Sequence, residues 1–191
     1  VQILESVFAG NKVREVQAGS GGEQGGALYS TGTGASLLMR NVLVCANRAE
    51  GGNAGGHGLY LANNAVLENC TVACNDGEGV RQAGGAVTLT NCIVWGNTAN
   101  VAGTVAAAYS DIGTEGGPAG EGCINADPLF KNAGRFDFQL RAASPCINKG
   151  ADAAWMAGAF DLAGNPRIGG RAVDMGAYES FASAGTLLLL Q

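Results

Sequence analysis

The sequence predicts an all-β fold, a right-handed parallel β-helix of the single-stranded solenoid kind, with a C-terminal strand-and-turn tail packed on it. Three observations carry this expectation. A nine-residue unit recurs along residues 1–112, the apolar positions inside each unit keep strand period, and 32 of the 191 residues are Gly. Gly at that frequency disfavours long helices, and no segment before Gly113 sustains a 3.6-residue apolar period.

The unit is clearest at Leu67-Glu68-Asn69-Cys70-Thr71-Val72-Ala73-Cys74-Asn75. It recurs at residues 89–97, 39–47 and 3–11, with a worn copy from Ala107 to Ile112. Aligned, the copies give four columns: Val1/Leu37/Ala65/Val87/Val105, Ile3/Met39/Leu67/Leu89/Ala107, Ser6/Val42/Cys70/Cys92/Ser110 and Phe8/Val44/Val72/Val94/Ile112. Each copy holds two pairs of apolar positions two residues apart, which is strand alternation. The alternation breaks at Glu5, Asn41, Asn69 and Asn91, where a sharp bend keeps both pairs inward. A single unit cannot bury its apolar side. Units stacked about 4.8 Å apart cover one another. The columns begin at residues 1, 37, 65, 87 and 105, so the spacing falls from 36 to 28, 22 and 18. The spacing of 22 is close to one turn of such a coil, and longer spacings add loops.

Asn11, Asn47, Asn75 and Asn97 follow the last inward position by three residues. They are expected to form an internal ladder, each amide bonding to the coils above and below. Cys70 and Cys92 share one inward column, where a thiol packs as a small hydrophobe. Gly-rich loops fill residues 12–36 and 48–58, before the strands begun by Ala27-Leu28-Tyr29 and Leu59-Tyr60-Leu61. No helix follows either loop, so tight turns and close coil approach explain the Gly better than phosphate binding. His57, the single His, has no Cys, Asp or Glu beside it and reads as a solvated loop residue. Asn69-Cys70-Thr71 fits a glycosylation acceptor pattern but falls at a packed bend.

From Gly113 the pattern changes, giving expected units at 1–112, 113–179 and 180–191. Phe136, Phe138 and Leu140 alternate with Asp137 and Gln139, as in a strand with one buried face. Ser144 to Gly150 and Asp161 to Arg167 are turn-rich, and Val173 to Glu179 reads as a final strand. Leu38, Leu43, Ile93 and Trp95 lie on outward faces of the coils. The tail is the available cover for them.

The net charge is −5, and three Lys with eight scattered Arg do not suggest a nucleic-acid partner. No run reaches the roughly 18 apolar residues of a membrane span. Val1 falls directly into the first column. This leads to the expectation that upstream residues of the same protein, or a neighbouring copy stacked head-to-tail, cover the first coil. Cys123 and Cys146 lie outside the columns and are the candidate disulfide.

The Gly-Gly-Ala-Leu-Tyr start at residues 25–29 and the Asn-Cys-x-Val-x-x-Asn repeats resemble those of secreted bacterial pectin-lyase-like β-helix proteins. The repeats are also similar to those of polymorphic outer-membrane proteins. Tyr109 to Ile112, Asp127 to Phe130, Ser144 to Asn148, Asp161 to Arg167 and Val173 to Glu179 resemble, in order, the C-terminal module called choice-of-anchor type. The resemblance covers nearly the whole chain and implies an extracellular or bacterial cell-surface location. It implies no particular reaction. Where that family often has a second acidic residue in the Asp161 turn, this chain has Ala163, which weakens a Ca²⁺ site. No recognisable anchor follows Glu179.

Three function classes are in view. A lyase or hydrolase needs paired carboxylates, or a metal site with a base, on one outward face. The outward positions Gln2/Leu38/Val66/Thr88/Ala106 and Val7/Leu43/Thr71/Ile93/Asp111 hold one acid and no base, so catalysis would belong to an upstream part. A carbohydrate-binding module needs exposed aromatics, and Tyr29 with Tyr60, equivalent in successive coils, are the candidates, with a stacked structural ladder as the equal alternative for the pair. A structural or adhesive surface element needs only a stiff rod. That third class, without cofactor or metal, is the expectation, with environmental or cell-surface polysaccharide as a further partner. Asp127, Asp161, Asp174 and Glu179 sit in turns, where capping backbone N–H groups is the expected role.

Overall fold

The computed structural model describes residues 1–14, 26–32, 34–50, 58–114 and 120–181. The strands are β1 (Gln2–Ala9), β2 (Lys12–Arg14), β3 (Leu28–Ser30), β4 (Ser36–Cys45), β5 (Arg48–Glu50), β6 (Leu59–Leu61), β7 (Asn64–Glu68) and β8 (Thr71–Ala73). They continue as β9 (Glu78–Gln82), β10 (Val87–Thr90), β11 (Ile93–Trp95), β12 (Ala99–Ala102), β13 (Val105–Ala108), β14 (Asp111–Ile112), β15 (Phe130–Asn132) and β16 (Asp137–Leu140). Among the described residues the helical segments are two three-residue 3₁₀ turns. The fold is all-β and solenoid-like, built from curled parallel sheets.

Strands from successive rungs pair in parallel. The first halves of β1 and β4 line up with β7, β10 and β13, and their second halves with β8, β11 and β14. A third stack runs β3-β6-β9-β12. The register joins Ile3 to Met39, Met39 to Leu67, Leu67 to Leu89 and Leu89 to Ala107, the column read from the repeat. Met39, Val42, Val44, Leu67, Cys70, Val72, Cys92 and Val94 are fully buried in one continuous core.

One left-handed residue shapes each of the five rungs, and four of them carry a second. Glu5, Asn41, Asn69, Asn91 and Tyr109 have φ between 49° and 55°, at the breaks in alternation. Asn tolerates this conformation better than most residues, because its short amide bonds locally. A second bend follows at Gly10, Ala46, Cys74 and Gly96, with φ between 53° and 68°. It delivers the ladder Asn into the corner. Gly58 and Gly79 then open the third strand where no Cβ fits. A Cβ on Gly58 would lie 2.4 Å from the Gly79 carbonyl oxygen, and one on Gly79 would lie 2.5 Å from the Asn97 amide.

The tail straps across the outward face of rungs two to five. β15 and β16 form an antiparallel pair. Phe138 packs with Leu43, Cys45 and Ala73, while Leu140, Cys146 and Met175 pack on Ile93. Three sequence expectations are corrected here. Phe136 does not share the buried face: it is 53% exposed at φ 62°, ending the first 3₁₀ turn, and Phe130 contacts Phe138 edge-on at 5.0 Å instead. Val173 to Glu179 is buried but not a strand, since its backbone bonds to side chains and bends rather than to a neighbouring strand. In the column Val7/Leu43/Thr71/Ile93/Asp111 the tail covers Leu43 and Ile93 as expected, but Thr71 and Asp111, read as part of an open outward face, lie beneath it too, and Val7 is exposed.

The two ends of the stack differ. Val1, Leu4 and Val7 are 84%, 45% and 55% exposed on the first rung. At the last rung, Tyr109 N–H donates to the Glu121 carbonyl, Ile112 N–H to the Ile124 carbonyl, and Ile124 N–H to the Ser110 carbonyl. Residues 120–124 therefore pair with that edge at Tyr109 to Ile112, and a head-to-tail contact there would have to displace them. His57, and the expected terminal segment beyond Phe181, lie outside the described residues.

Candidate functional site

The ladder residues Asn11, Asn47, Asn75 and Asn97 are joined in sequence. The backbone N–H and the Nδ2 of each donate to Oδ1 of the next, at 2.8–3.0 Å. Asn97 closes the series on Oδ1 of Asn100 at 3.0 and 2.9 Å. Nδ2 of Asn47, Asn75 and Asn97 also donates to the Phe8, Val44 and Val72 carbonyls. In Asn47, Asn75 and Asn97 both Nδ2 hydrogens and Oδ1 are used within the stack, whereas Asn11, at the exposed end, spends only one Nδ2 hydrogen.

A second set of Asn residues was not assigned a contact from the sequence. Asn41, Asn69 and Asn91, at the first bend, donate through Nδ2 to the Phe160, Asp174 and Ala151 carbonyls of the tail, at 2.9, 3.2 and 2.9 Å. Asn91 also accepts from Ala151 N–H through Oδ1 at 2.7 Å. The tail itself is tied by its acids. Asp161 accepts from Ala163, Asn165 and Glu179 N–H, and Asp174 accepts from Asn148 and Ser180 N–H. Asp127 caps Leu129 N–H at 2.9 Å. Glu179 sits 3.3 Å from Arg167, which is wholly buried and donates to the Gly176 carbonyl. Burial pushes the Glu179 carboxyl up to about 8, against the pull of Arg167, and lowers Arg167 for the same reason. Spacing along the chain gives no hint of this cluster, because Arg167 meets its partners only through the tail's folding.

The cysteines are six free thiols. Cys123 and Cys146 are not joined: the Cys146 thiol donates to Asp111 at 3.2 Å, buried beneath the tail, while Cys123 is half-buried at the loop over the last rung. Burial pushes the Asp111 carboxyl up to about 6, although Ala126 N–H and the Cys146 thiol bond to it. No group of three His, Cys, Asp or Glu side chains placed to hold a metal ion occurs among the described residues.

An open surface feature lies on the third stack. Tyr29 pairs in register with Tyr60, and Tyr60 with Arg81. The two rings lie 5.1 Å apart, tilted by 53°, with Tyr29 48% exposed. Arg81 is held by Glu78 at 2.6 Å. Aligning Gly58-Leu59-Tyr60-Leu61 with Gly79-Val80-Arg81-Gln82 would have placed Arg81 in this row from the sequence. Two residues further along the same strands a cleft of about 350 Å³ opens across three rungs, lined by Thr31 and Ala35, then Asn63 and Asn64, then Gly85. Ser30 donates to Asn63 at 2.9 Å and Ala86 N–H to Asn64 at 2.9 Å, which fixes both amides.

No family model matches the chain, and no curated protein and no solved structure matches it. No helix among the described residues is long and apolar enough to cross a membrane.

Proposed function

We propose that this chain is a right-handed parallel β-helix serving as a structural or adhesive element outside the cell. The observation that supports this most is the register itself. Five rungs stack with unbroken inward columns, a closed Asn ladder and a tail bonded to four of them. Such an object is stiff along its axis and stores its contacts in the scaffold rather than in a reacting centre. The acids that a catalytic reading would use, Asp127, Asp161, Asp174 and Glu179, are spent on N–H groups and on Arg167. The exposed apolar row at Val1, Leu4 and Val7 is a face for a further protein partner. The experiment is antibody labelling of intact source cells, with fractionation of the culture fluid. Signal on unpermeabilised cells or in the fluid is expected. Signal only after permeabilisation refutes the location, and turnover of a polysaccharide by the purified chain refutes the non-catalytic role.

A further inference from the structure

We propose that the Tyr29–Tyr60–Arg81 row and the cleft beside it bind an uncharged, linear polysaccharide laid along the stack axis, across the strands. This rests on the surface reading above only for access to the ligand, not for its geometry.

The parallel register repeats one side chain per rung, so anything bound across the rungs meets the same chemistry at each step. The step between the two rings is 5.1 Å, close to the length of one sugar unit in an extended chain. Sugar rings present apolar C–H faces, which pack on the electron-rich face of an aromatic ring. The rings meet at an interplanar angle of 53°, so they are not stacked flat on each other. Hydroxyl recognition comes from the cleft, where Thr31, Asn63 and Asn64 stand on consecutive rungs in a volume of about 350 Å³, enough for a few sugar units. Asn64 uses Oδ1 on Ala86 N–H, and no partner is seen for its NH₂ among the described residues.

Charge decides between neutral and acidic glycans. The guanidinium of Arg81 is already matched by Glu78, and the chain carries a net −5. A uronate would have to displace an internal carboxylate on an acidic protein, so the site suits the uncharged polymer.

The test is calorimetric titration of the full chain with cellohexaose, mannohexaose and xylohexaose, and with hexagalacturonate as the acidic counterpart. At least one neutral hexamer is expected to bind with a Kd of about 1 mM or tighter. Affinity should hold at high salt, since no ion pair forms. The Tyr29→Ala/Tyr60→Ala double variant should lose about tenfold or more, while Tyr60→Phe keeps the ring and the affinity. Circular dichroism melts check that the double variant remains folded, since Tyr29 is exposed but Tyr60 is half-buried. Absence of binding by all three neutral hexamers overturns the proposal, and so does affinity that survives the double variant. Binding confined to hexagalacturonate and abolished by Arg81→Ala also overturns it. Surface labelling without glycan binding sinks this proposal alone. Glycan binding by a protein confined inside the cell sinks the location alone.

Discussion

Removing the middle of the Asn ladder should cost far more than removing its end. Asn75 accepts the Asn47 N–H and Nδ2 at 3.0 and 2.9 Å, and donates to Asn97 Oδ1 at 2.8 Å and the Val44 carbonyl at 3.2 Å. Asn75→Ala deletes all four bonds. The Asn47 N–H is then stranded in a fully buried residue, at a cost of about 1–3 kcal/mol, and the other three bonds are worth about 1 kcal/mol each. The total is about 4–6 kcal/mol. Asn11→Ala deletes one bond, Nδ2 to Asn47 Oδ1 at 2.8 Å, at an exposed residue where water replaces it, for about 0.5–1 kcal/mol. Urea titrations with unchanged slope should place the Asn75→Ala midpoint lower by about 1 M or more, and Asn11→Ala within a few tenths of wild type. Unfolding free energies for the two variants within about 0.5 kcal/mol of each other would refute the ladder as a source of stability.

Further outcomes follow from the tail. Thr71→Asp should destabilise as severely as Val72→Asp, by several kcal/mol, because Thr71 is 1% exposed and its Oγ1 holds Ala177 N–H. Thr88→Asp, on a half-exposed position, should shift the melt little, and the ranking of the three midpoints checks this. Asp111 gives a pH signature. Its folded pKa of about 6 lies above the usual carboxylate value of about 3.9, so its contribution is complete below about pH 4 and is lost as pH rises through about 6. Asp111→Asn should flatten that part of the wild-type stability profile, and an unchanged slope between pH 4 and 7 would contradict it. Alkylation under native conditions should modify exposed Cys74 first, with Cys45, whose thiol is pushed up to about 11, slow. A non-reducing peptide map linking Cys123 to Cys146 would overturn their assignment as free thiols.

The rungs were legible because their determinants are local and repeated. Two apolar pairs, an Asn at the bend and an Asn in the corner define each unit, and the register at Met39, Leu67 and Leu89 follows directly. Alternation tells which side chains point outward but not what meets them. Thr71 and Asp111 looked solvent-facing for that reason, and only the tail's path buries them. Phe136 misled because it continues a period of two, whereas the left-handed turn at φ 62° rotates it out of the strand. Arg167 carried no pattern at all. Its burial depends on Glu179 and the Gly176 carbonyl, brought close by turns that the sequence marks but does not aim. On the third stack, Tyr29 and Tyr60 could be paired from the repeat, while the cleft beside them depends on corner geometry.

The bonds from Asn41, Asn69 and Asn91 to the tail have a mechanical meaning. A stack of rungs pulled along its axis is weak in the manner of a zipper, since one interface at a time bears the load. The tail runs alongside and is pinned to consecutive rungs by the same residues that bend them, at Phe160, Asp174 and Ala151. Parting two of those rungs therefore also requires tearing the splint from one of them. Tension on one joint is shared by its neighbours, whereas the first rung has no such pin among the described residues.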